Sequence, residues 1–415
     1  IYIMTATTTS PHWNIAYICP RYAAGAAGGA ETLIKNWAEQ LQARGHSSEV
    51  LTTCARDNTT WENELTPGEE IINGVTVRRF EVTYHNQEKQ DYFGEKISHG
   101  QPLSISQEEE WIDSVVRSDT LVHFIEEHHS DYDCLIFAPY LFGITYRGMK
   151  IAPKRSILVP CLHDEPYARL KIFRNVFNQA AGIFFNSEAE QALADRIFAP
   201  GKATIRLVGM GIEPPDNLDP ETFRKKFKEK SPFILYAGRR EGGKNTQLLI
   251  EYFRIFKHHH RTDLKLLLIG SGEVDLRKED KNRIRDLGYL SSEDKWNAYA
   301  ASDIFCQPSN NESLSIVLLE SWLTETPALV SALCPVTRDH CLRSQGGLFF
   351  RNYYEFEECI LFLLKHPDQA KLMGENGRQY VKDNYTWDRV LDSLEEGVKK
   401  CLKCLKRTKV PKVKN

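Results

Sequence analysis

The sequence predicts an α/β protein built from two doubly wound parallel sheets. Short apolar runs alternate with stretches of helical periodicity from Asn14 onward, the pattern of strands joined by crossover helices rather than by hairpins. The pattern breaks at Gly209–Lys230, which is proline-rich and then charged, and restarts after it, as at a domain linker. At roughly 100–200 residues per domain, 415 residues agree with two large domains.

In chain order, Asn14–Cys19 is a strand followed by a small-residue loop. Leu33, Ile34, Trp37, Ala38 and Leu41 then fall at helical spacing, with Gly45 where a carboxyl-terminal cap belongs. Glu49–Thr53 returns to strand, and Asn73-Gly74 is a hairpin turn between Ile71–Ile72 and Val75–Phe80. Tyr84–Gln107 reads as a long polar excursion without regular structure. Helical periodicity covers 108–128, and Cys134–Ala138, Ile157–Leu162 and Gly182–Asn186 are buried strands. Ser187 with Glu190 makes a capping box for the next helix.

Beyond the linker, Phe233–Ala237, Leu264–Ile269, Ile304–Gln307 and Pro327–Ser331 read as strands. Gln247–Phe256 and Leu314–Leu323 read as helices, and Trp387–Leu405 as one amphipathic helix. The expected organisation is an N-terminal domain over 11–210 and a C-terminal domain over 211–385. A terminal helix over 386–405 is expected to pack back toward the first domain, ahead of a basic tail over 406–415.

Composition excludes several classes. Hydrophobic residues at 41% and charged residues at 26% are ordinary for a globular chain that buries a core, so disorder and collagen are out. No apolar run reaches the ~18–20 residues of a membrane span. Net charge is −3, but residues 399–415 carry eight Lys/Arg and no acid. The other 45 basic residues face all 56 acidic ones, a balance of −11 that argues against nucleic acid as a partner. The basic tail leaves peripheral contact with an anionic membrane surface open, against the plainer reading of a solvated terminus. The ten cysteines lack regular spacing, and Cys401-x-x-Cys404 has no second ligand pair near it, so free thiols in a reducing cytoplasm are expected. Residues 1–10 have no basic and apolar signal pattern and read as a leader outside the fold.

Two constellations carry chemistry. Gly238-Arg239-Arg240-Glu241-Gly242-Gly243-Lys244-Asn245 lies between a strand and a helix. Backbone N–H groups there point at an anion, and Arg239 and Lys244 add cations. It comes within one residue of the phosphate-loop pattern, but Asn245 stands where a Ser or Thr would hold Mg²⁺. The plainer alternative is a glycine-rich turn with two solvated cations. The second constellation runs from Glu312 to Glu320, with Ser313, Leu314 and Ser315 opening an apolar helix whose first amides are unsatisfied donors. Its plain alternative makes Glu312 a helix-end acid and Glu320 a surface residue, although Glu320 interrupts a run that otherwise reads as buried.

Taken together, G-R-x4-K-N and the later E-S-x6-E resemble retaining glycosyltransferases of family 4, which have the GT-B fold. Gly28-Gly29-Ala30-Glu31 opening the first helix and His163-Asp164 agree, and the resemblance spans about residues 14–400. One departure is Leu314-Ser315, where the family often has Phe-Gly. The resemblance implies two Rossmann-like domains facing each other across a cleft, and transfer of a sugar from a UDP- or GDP-linked donor to an acceptor hydroxyl with retention. Arg239 and Lys244 would hold the donor diphosphate, and Glu312 the hydroxyls of the transferred sugar. The amides near Ser313, Leu314 and Ser315 would bind its phosphate, and Glu320 the ribose. Gly28 and Gly29 would let backbone approach the donor, His163 would lie at the reacting sugar, and the stretch Leu287–Leu290 would meet the base. No cofactor and no essential metal are implied. The expected acceptor is a carbohydrate or a lipid-linked sugar, and the expected location is cytoplasmic, with a peripheral position at the inner membrane face as the alternative.

Asp131-Tyr132-Asp133 mimics a D-x-D metal motif but reads as ordinary loop chemistry, and His258–His260 as helix-end histidines pointing different ways. Two rivals stand beside the glycosyltransferase. A phosphate-loop NTPase would need a hydroxyl on Mg²⁺ and a strand ending in Asp, whereas Leu264–Ile269 ends at Gly270. A catalytically silent nucleotide-sugar binder would lack the sugar-contacting acid, and Glu312 is present.

Overall fold

The computed structural model describes residues 12–22, 28–240 and 242–408. The expectations for the leading residues and for the tail beyond 408 lie outside these. The chain forms two compact units. The first takes residues up to Phe185, Leu193–Val208 and the chain from Leu391, and the second takes Asn186–Ala192 and Gly209–Val390.

The first unit runs β1 (Asn14–Ile18), α1 (Gly29–Ala43), β2 (Ser47–Thr53), β3 (Gly68–Ile72), β4 (Val75–Phe80), α2 (Gln87–Ser98), α3 (Ile105–Val115), α4 (Asp119–His128) and β5 (Cys134–Phe137). It continues through α5 (Gly143–Ile151), β6 (Ser156–Leu158), α6 (Lys171–Gln179), β7 (Gly182–Phe185), α7 (Glu188–Phe198) and β8 (Thr204–Leu207). The sheet order is β3-β4-β2-β1-β5-β6-β7-β8. Only the β3–β4 pair is antiparallel, joined by Asn73 (φ 50°) and Gly74 (φ 80°) in the turn that the Asn-Gly pair favours. Every residue of β5 and β7 is buried, as expected of parallel strands covered on both faces.

The second unit runs α8 (Pro220–Lys226), β9 (Phe233–Ala237), α9 (Thr246–His259), β10 (Lys265–Ile269), β11 (Ile284–Asp286), α10 (Ser292–Ala301) and β12 (Ile304–Gln307). It continues through α11 (Ile316–Leu323), β13 (Ala328–Ser331), α12 (Pro335–Ser344), β14 (Gly347–Phe350), α13 (Tyr353–Lys365) and α14 (Pro367–Asn384). The last helix, α15 (Trp387–Thr408), spans the boundary at Val390. All six strands are parallel in the order β11-β10-β9-β12-β13-β14. Successive strands leave β9 in one direction and return to its other side at β12. The carboxyl ends of β9 and β12 are therefore the switch point at which doubly wound sheets bind ligands.

Several expectations change. Tyr84–Gln107 is mostly helical: Asn86 caps α2, whose only apolar anchors, Phe93 and Ile97, are too few to show a period. Ser104 and Gln107 form the capping box of α3. The single periodicity over 108–128 is two helices, because Ser118 accepts the Leu121 amide and starts α4. The linker holds α8, capped by Asp219 and anchored by the buried Phe223. It belongs to the second unit, where the Asp219 amide donates to Asn297 Oδ1 at 2.7 Å and Lys226 pairs with Asp294 at 2.8 Å. β6 stops at Leu158, short of Leu162. In the first unit, the part of α15 from Leu391 buries Leu391, Leu394, Val398 and Cys401, and Arg44 pairs with Asp392 at 2.7 Å.

Candidate active site

The switch point of the second unit brings together residues 68 apart in sequence. After β9 the chain turns through Gly238 and a single 3-10 turn at Gly242–Lys244. It enters α9 through Asn245, which is left-handed at φ 53°. The Asn245 side-chain Nδ2 donates to the Pro308 carbonyl at 3.1 Å, and the Asn310 backbone N–H to the Gly243 carbonyl at 3.2 Å. These two bonds hold the loops after β9 and β12 side by side. Across them, Lys244 Nζ lies 2.6 Å from Glu312 Oε1.

Glu312 precedes α11 by one turn of chain, and the helix starts at Ile316 rather than near Leu314. Ser315 is left-handed (φ 67°, ψ 66°), a conformation that glycine adopts without cost and that a side chain resists. The Leu318 and Leu319 amides are the ones that return to the Ser315 carbonyl, at 3.1 and 3.3 Å. The amides ahead of them face out of the helix end, as first-turn donors do. Behind the turn, His340 is buried between the Leu314 carbonyl (Nε2, 3.1 Å) and the Tyr380 hydroxyl (Nδ1, 3.0 Å). A carbonyl only accepts, so Nε2 carries the proton and Nδ1 accepts from Tyr380. Burial pushes the His340 pKa down to about 4, which keeps the ring neutral.

Glu320 lies one turn into α11 and is buried at 7% exposure. Lys295 Nζ reaches its Oε1 at 2.6 Å and the Tyr299 hydroxyl donates to its Oε2 at 3.0 Å. Burial and the adjacent carboxylate push the Tyr299 hydroxyl well up, so it stays a donor. Lys295 and Tyr299 were not expected from the sequence. Their i, i+4 spacing on α10 is the signal that could have marked them as one face.

The Tyr236 hydroxyl donates to the Arg239 carbonyl at 2.8 Å and fixes that residue's backbone at the end of β9. Its neighbour Arg240 is structural, pairing with Asp286 and donating to the Gly272 carbonyl at 2.6 Å. Gly270 follows β10 at φ 124°, where a Cβ would sit 2.1 Å from the Gly238 carbonyl oxygen, so only glycine lets these two strand ends approach. Leu290, half-buried, follows β11, and the nearby Gly288 carbonyl accepts the Gly270 amide at 2.8 Å.

Gly28, Gly29 and His163 belong to the first unit. A Cβ at Gly28 would meet the Glu31 carboxylate at 1.7 Å, and nothing stands within 4 Å of one at Gly29. Glu31 is held by buried Arg21 at 2.6 Å, a pair the sequence did not suggest. His163 stands in the loop after β6, past the end of the strand at Leu158, and beside it Asp164 pairs with Arg169 (2.6 Å) and with Arg196 of α7 (2.9 Å). Glu165 there accepts from the Tyr140 hydroxyl at 2.8 Å, and burial pushes its carboxyl up.

Asp133 accepts the Asn14 amide at 2.9 Å, and Asp131 pairs with His128 at 3.0 Å. The histidine run departs from expectation: His259 and His260 converge on Glu357 Oε1 at 3.1 and 2.9 Å. The Tyr353 hydroxyl joins them, and these hydrogen bonds, Tyr353's first, hold that carboxyl down at about 2. Among the described residues no group of three or more His, Cys, Asp or Glu is placed to hold a metal ion. No helix among them is long and apolar enough to cross a membrane.

Residues 219–380 match the family model described as glycosyl transferases group 1, a span that lies within the second unit and includes its switch point. The chain is 22% identical over 409 residues to a D-inositol 3-phosphate glycosyltransferase of Corynebacterium urealyticum, covering 90% of each. It is 29% identical over 144 residues to a GDP-mannose-dependent phosphatidylinositol monomannoside mannosyltransferase of Corynebacterium glutamicum, covering 31% of this chain and 37% of that one. Among solved structures, sucrose-phosphate synthase of Thermosynechococcus elongatus superposes with a TM-score of 0.68 at 17% identity, over 96% of this chain and 99% of that one. Anabaena HepE, solved with UDP and glucose, superposes with a TM-score of 0.65 at 14% identity, over 96% and 99%. The fold is GT-B, with two Rossmann-like units, and the family match with the relatives supports a glycosyltransferase of the group 1 kind.

Proposed function

We propose that the chain transfers a hexose from a UDP- or GDP-linked donor to an acceptor hydroxyl with retention of anomeric configuration, without a metal. The observation that carries this is the Lys244–Glu312 pair at the switch point, a cation and a carboxylate 2.6 Å apart beside the open amides of α11. Lys244 and Arg239 would neutralise the departing diphosphate, with the Ser313–Ser315 amides adding donors. Glu312 would face the sugar ring where positive charge develops. Glu320 would bind the ribose. Acceptor attack on the leaving-group face, with the leaving phosphate oxygen taking the proton, keeps atoms and charge balanced without a protein nucleophile.

The phosphate-loop alternative is disfavoured because Asn245 stands where a Ser or Thr would hold Mg²⁺ and spends its side chain on the Pro308 carbonyl. A silent binder would lack a sugar-contacting acid, and Glu312 is present, which counts against it. The acceptor is taken to be a carbohydrate or a lipid-linked sugar, reached in the cytoplasm or peripherally at its membrane face. The roles expected of Gly28, Gly29, His163 and Leu290 rest on the family resemblance. A screen of UDP-, GDP- and ADP-sugars by thermal shift and donor hydrolysis tests the reading. Stabilisation and slow hydrolysis with a UDP- or GDP-sugar are expected, and Mg²⁺-dependent ATP hydrolysis with no nucleotide-sugar turnover would overturn it.

A further inference from the structure

Gln307 is the last residue of β12, is 2% exposed, and has no part in the roles described so far. Its Nε2 lies 2.8 Å from Glu312 Oε1, and its Oε1 lies 2.5 Å from the Ser315 hydroxyl. A carboxylate only accepts, so the amide nitrogen faces Glu312 and the amide oxygen faces Ser315, whose hydroxyl then has to donate. Gln307 and Lys244 thus both donate to one oxygen of Glu312. Among the described residues, Glu312 Oε2 takes no hydrogen bond, so one carboxylate oxygen is clamped and the other is left for a ligand. The clamp is itself anchored in Ser315, the side chain that stands at a left-handed position.

We infer that Gln307, oriented by Ser315, is a positioning residue that fixes the Glu312 carboxylate toward the transferred sugar. This rests on the donor reading above. Lys244 alone cannot serve, because its ammonium is a point charge that can follow the carboxylate through a rotation. A buried amide at a strand end cannot follow it. When the diphosphate arrives and competes for Lys244, Gln307 is the donor that still holds Glu312 in place. A hydroxyl on residue 315 explains why this chain tolerates serine there: glycine would relieve the backbone but release the amide.

The test uses the full chain with UDP-glucose and GDP-mannose as donors and UDP and GDP as free nucleotides. Gln307→Met keeps the volume and removes the donor, and Gln307→Glu keeps the acceptor for Ser315 while facing Glu312 with a second carboxylate. Both should lower kcat for donor turnover at least tenfold. Both should also weaken the intact nucleotide sugar relative to its nucleoside diphosphate, whose own Kd should stay within about twofold. Thermal unfolding of each variant separates this from loss of fold. Ser315→Gly, which suits the left-handed turn, should lower kcat severalfold in the wild-type background and have no further effect beside Gln307→Met, a coupling that a merely structural role would not show. Unchanged kcat in Gln307→Met, or full additivity with Ser315→Gly, overturns the positioning role while leaving the donor reading intact. A wild-type chain that binds neither UDP nor GDP overturns both.

Discussion

Replacing Glu312 by glutamine separates its charge from its shape. In the structure its Oε1 takes Lys244 at 2.6 Å and Gln307 at 2.8 Å, and its side chain is 11% exposed. A glutamine can keep its oxygen at that position, so both bonds survive with a neutral acceptor. Lys244 is 26% exposed and can rehydrate, so the stability cost is expected to be about 1 kcal/mol or less. Catalysis should respond far more strongly. Two unit charges about 4 Å apart interact by roughly 4 kcal/mol at an effective dielectric constant near 20. Only the part of that interaction that grows as the sugar becomes cationic is lost from the barrier. A loss of about 2.7 kcal/mol corresponds to roughly 10²-fold in kcat. The free nucleoside diphosphate should bind as well as before or severalfold tighter, because Lys244 no longer shares its charge with a carboxylate. Steady-state donor turnover, calorimetric titration with UDP or GDP and a thermal melt measure the three quantities. If Glu312→Gln turns over within about threefold of wild type while nucleotide affinity drops tenfold, Glu312 is not at the reacting sugar and the assignment is wrong.

Glu320→Ala strips the acceptor from the buried Tyr299 hydroxyl and the partner from Lys295. If Glu320 binds ribose, which is unchanged in the reaction, donor KM should rise by the equivalent of ~1–3 kcal/mol with kcat nearly constant; a fall in kcat at unchanged KM would contradict that role. His340 is held neutral with a pKa near 4 against an ordinary 6.5, so the unfolded chain binds the extra proton in that window. Stability should be fully present above about pH 6.5 and decline as pH falls toward 4, by up to about 3 kcal/mol. Denaturant melts of wild type and His340→Gln across pH 4–7 check this, and equal slopes for the two would refute it. Sugar transfer should survive EDTA, and loss of activity restored by Mg²⁺ or Mn²⁺ would remove the metal-free mechanism.

Local chemistry was legible in the sequence where it depends on neighbours along the chain. The apolar runs CLIF and FILYA are strands because residues buried on both faces of a parallel sheet need no alternation. Asn73-Gly74 is a turn because both positions tolerate positive φ. The glycines and cations after β9 were legible as a strand-to-helix loop for the same local reason. Elements with few apolar anchors were not legible: α2 has two large buried side chains, and its cap at Asn86 is visible only once the helix is known. The site as a unit was decided by strand order, which no local signal encodes. Because β12 pairs with β9 after the chain has laid down β10 and β11 on the other side, Lys244 meets Glu312 across 68 residues. The same pairing places Gln307 between Glu312 and Ser315. The sequence by itself determined where strands and turns fall and set glycines beside cations in the loop after β9. Only the tertiary structure decided that Glu312 is clamped at one oxygen, that Glu320 is buried against Tyr299, and that the histidines at 259 and 260 share one carboxylate, because these depend on side chains brought together by sheet register and helix packing rather than by spacing along the chain.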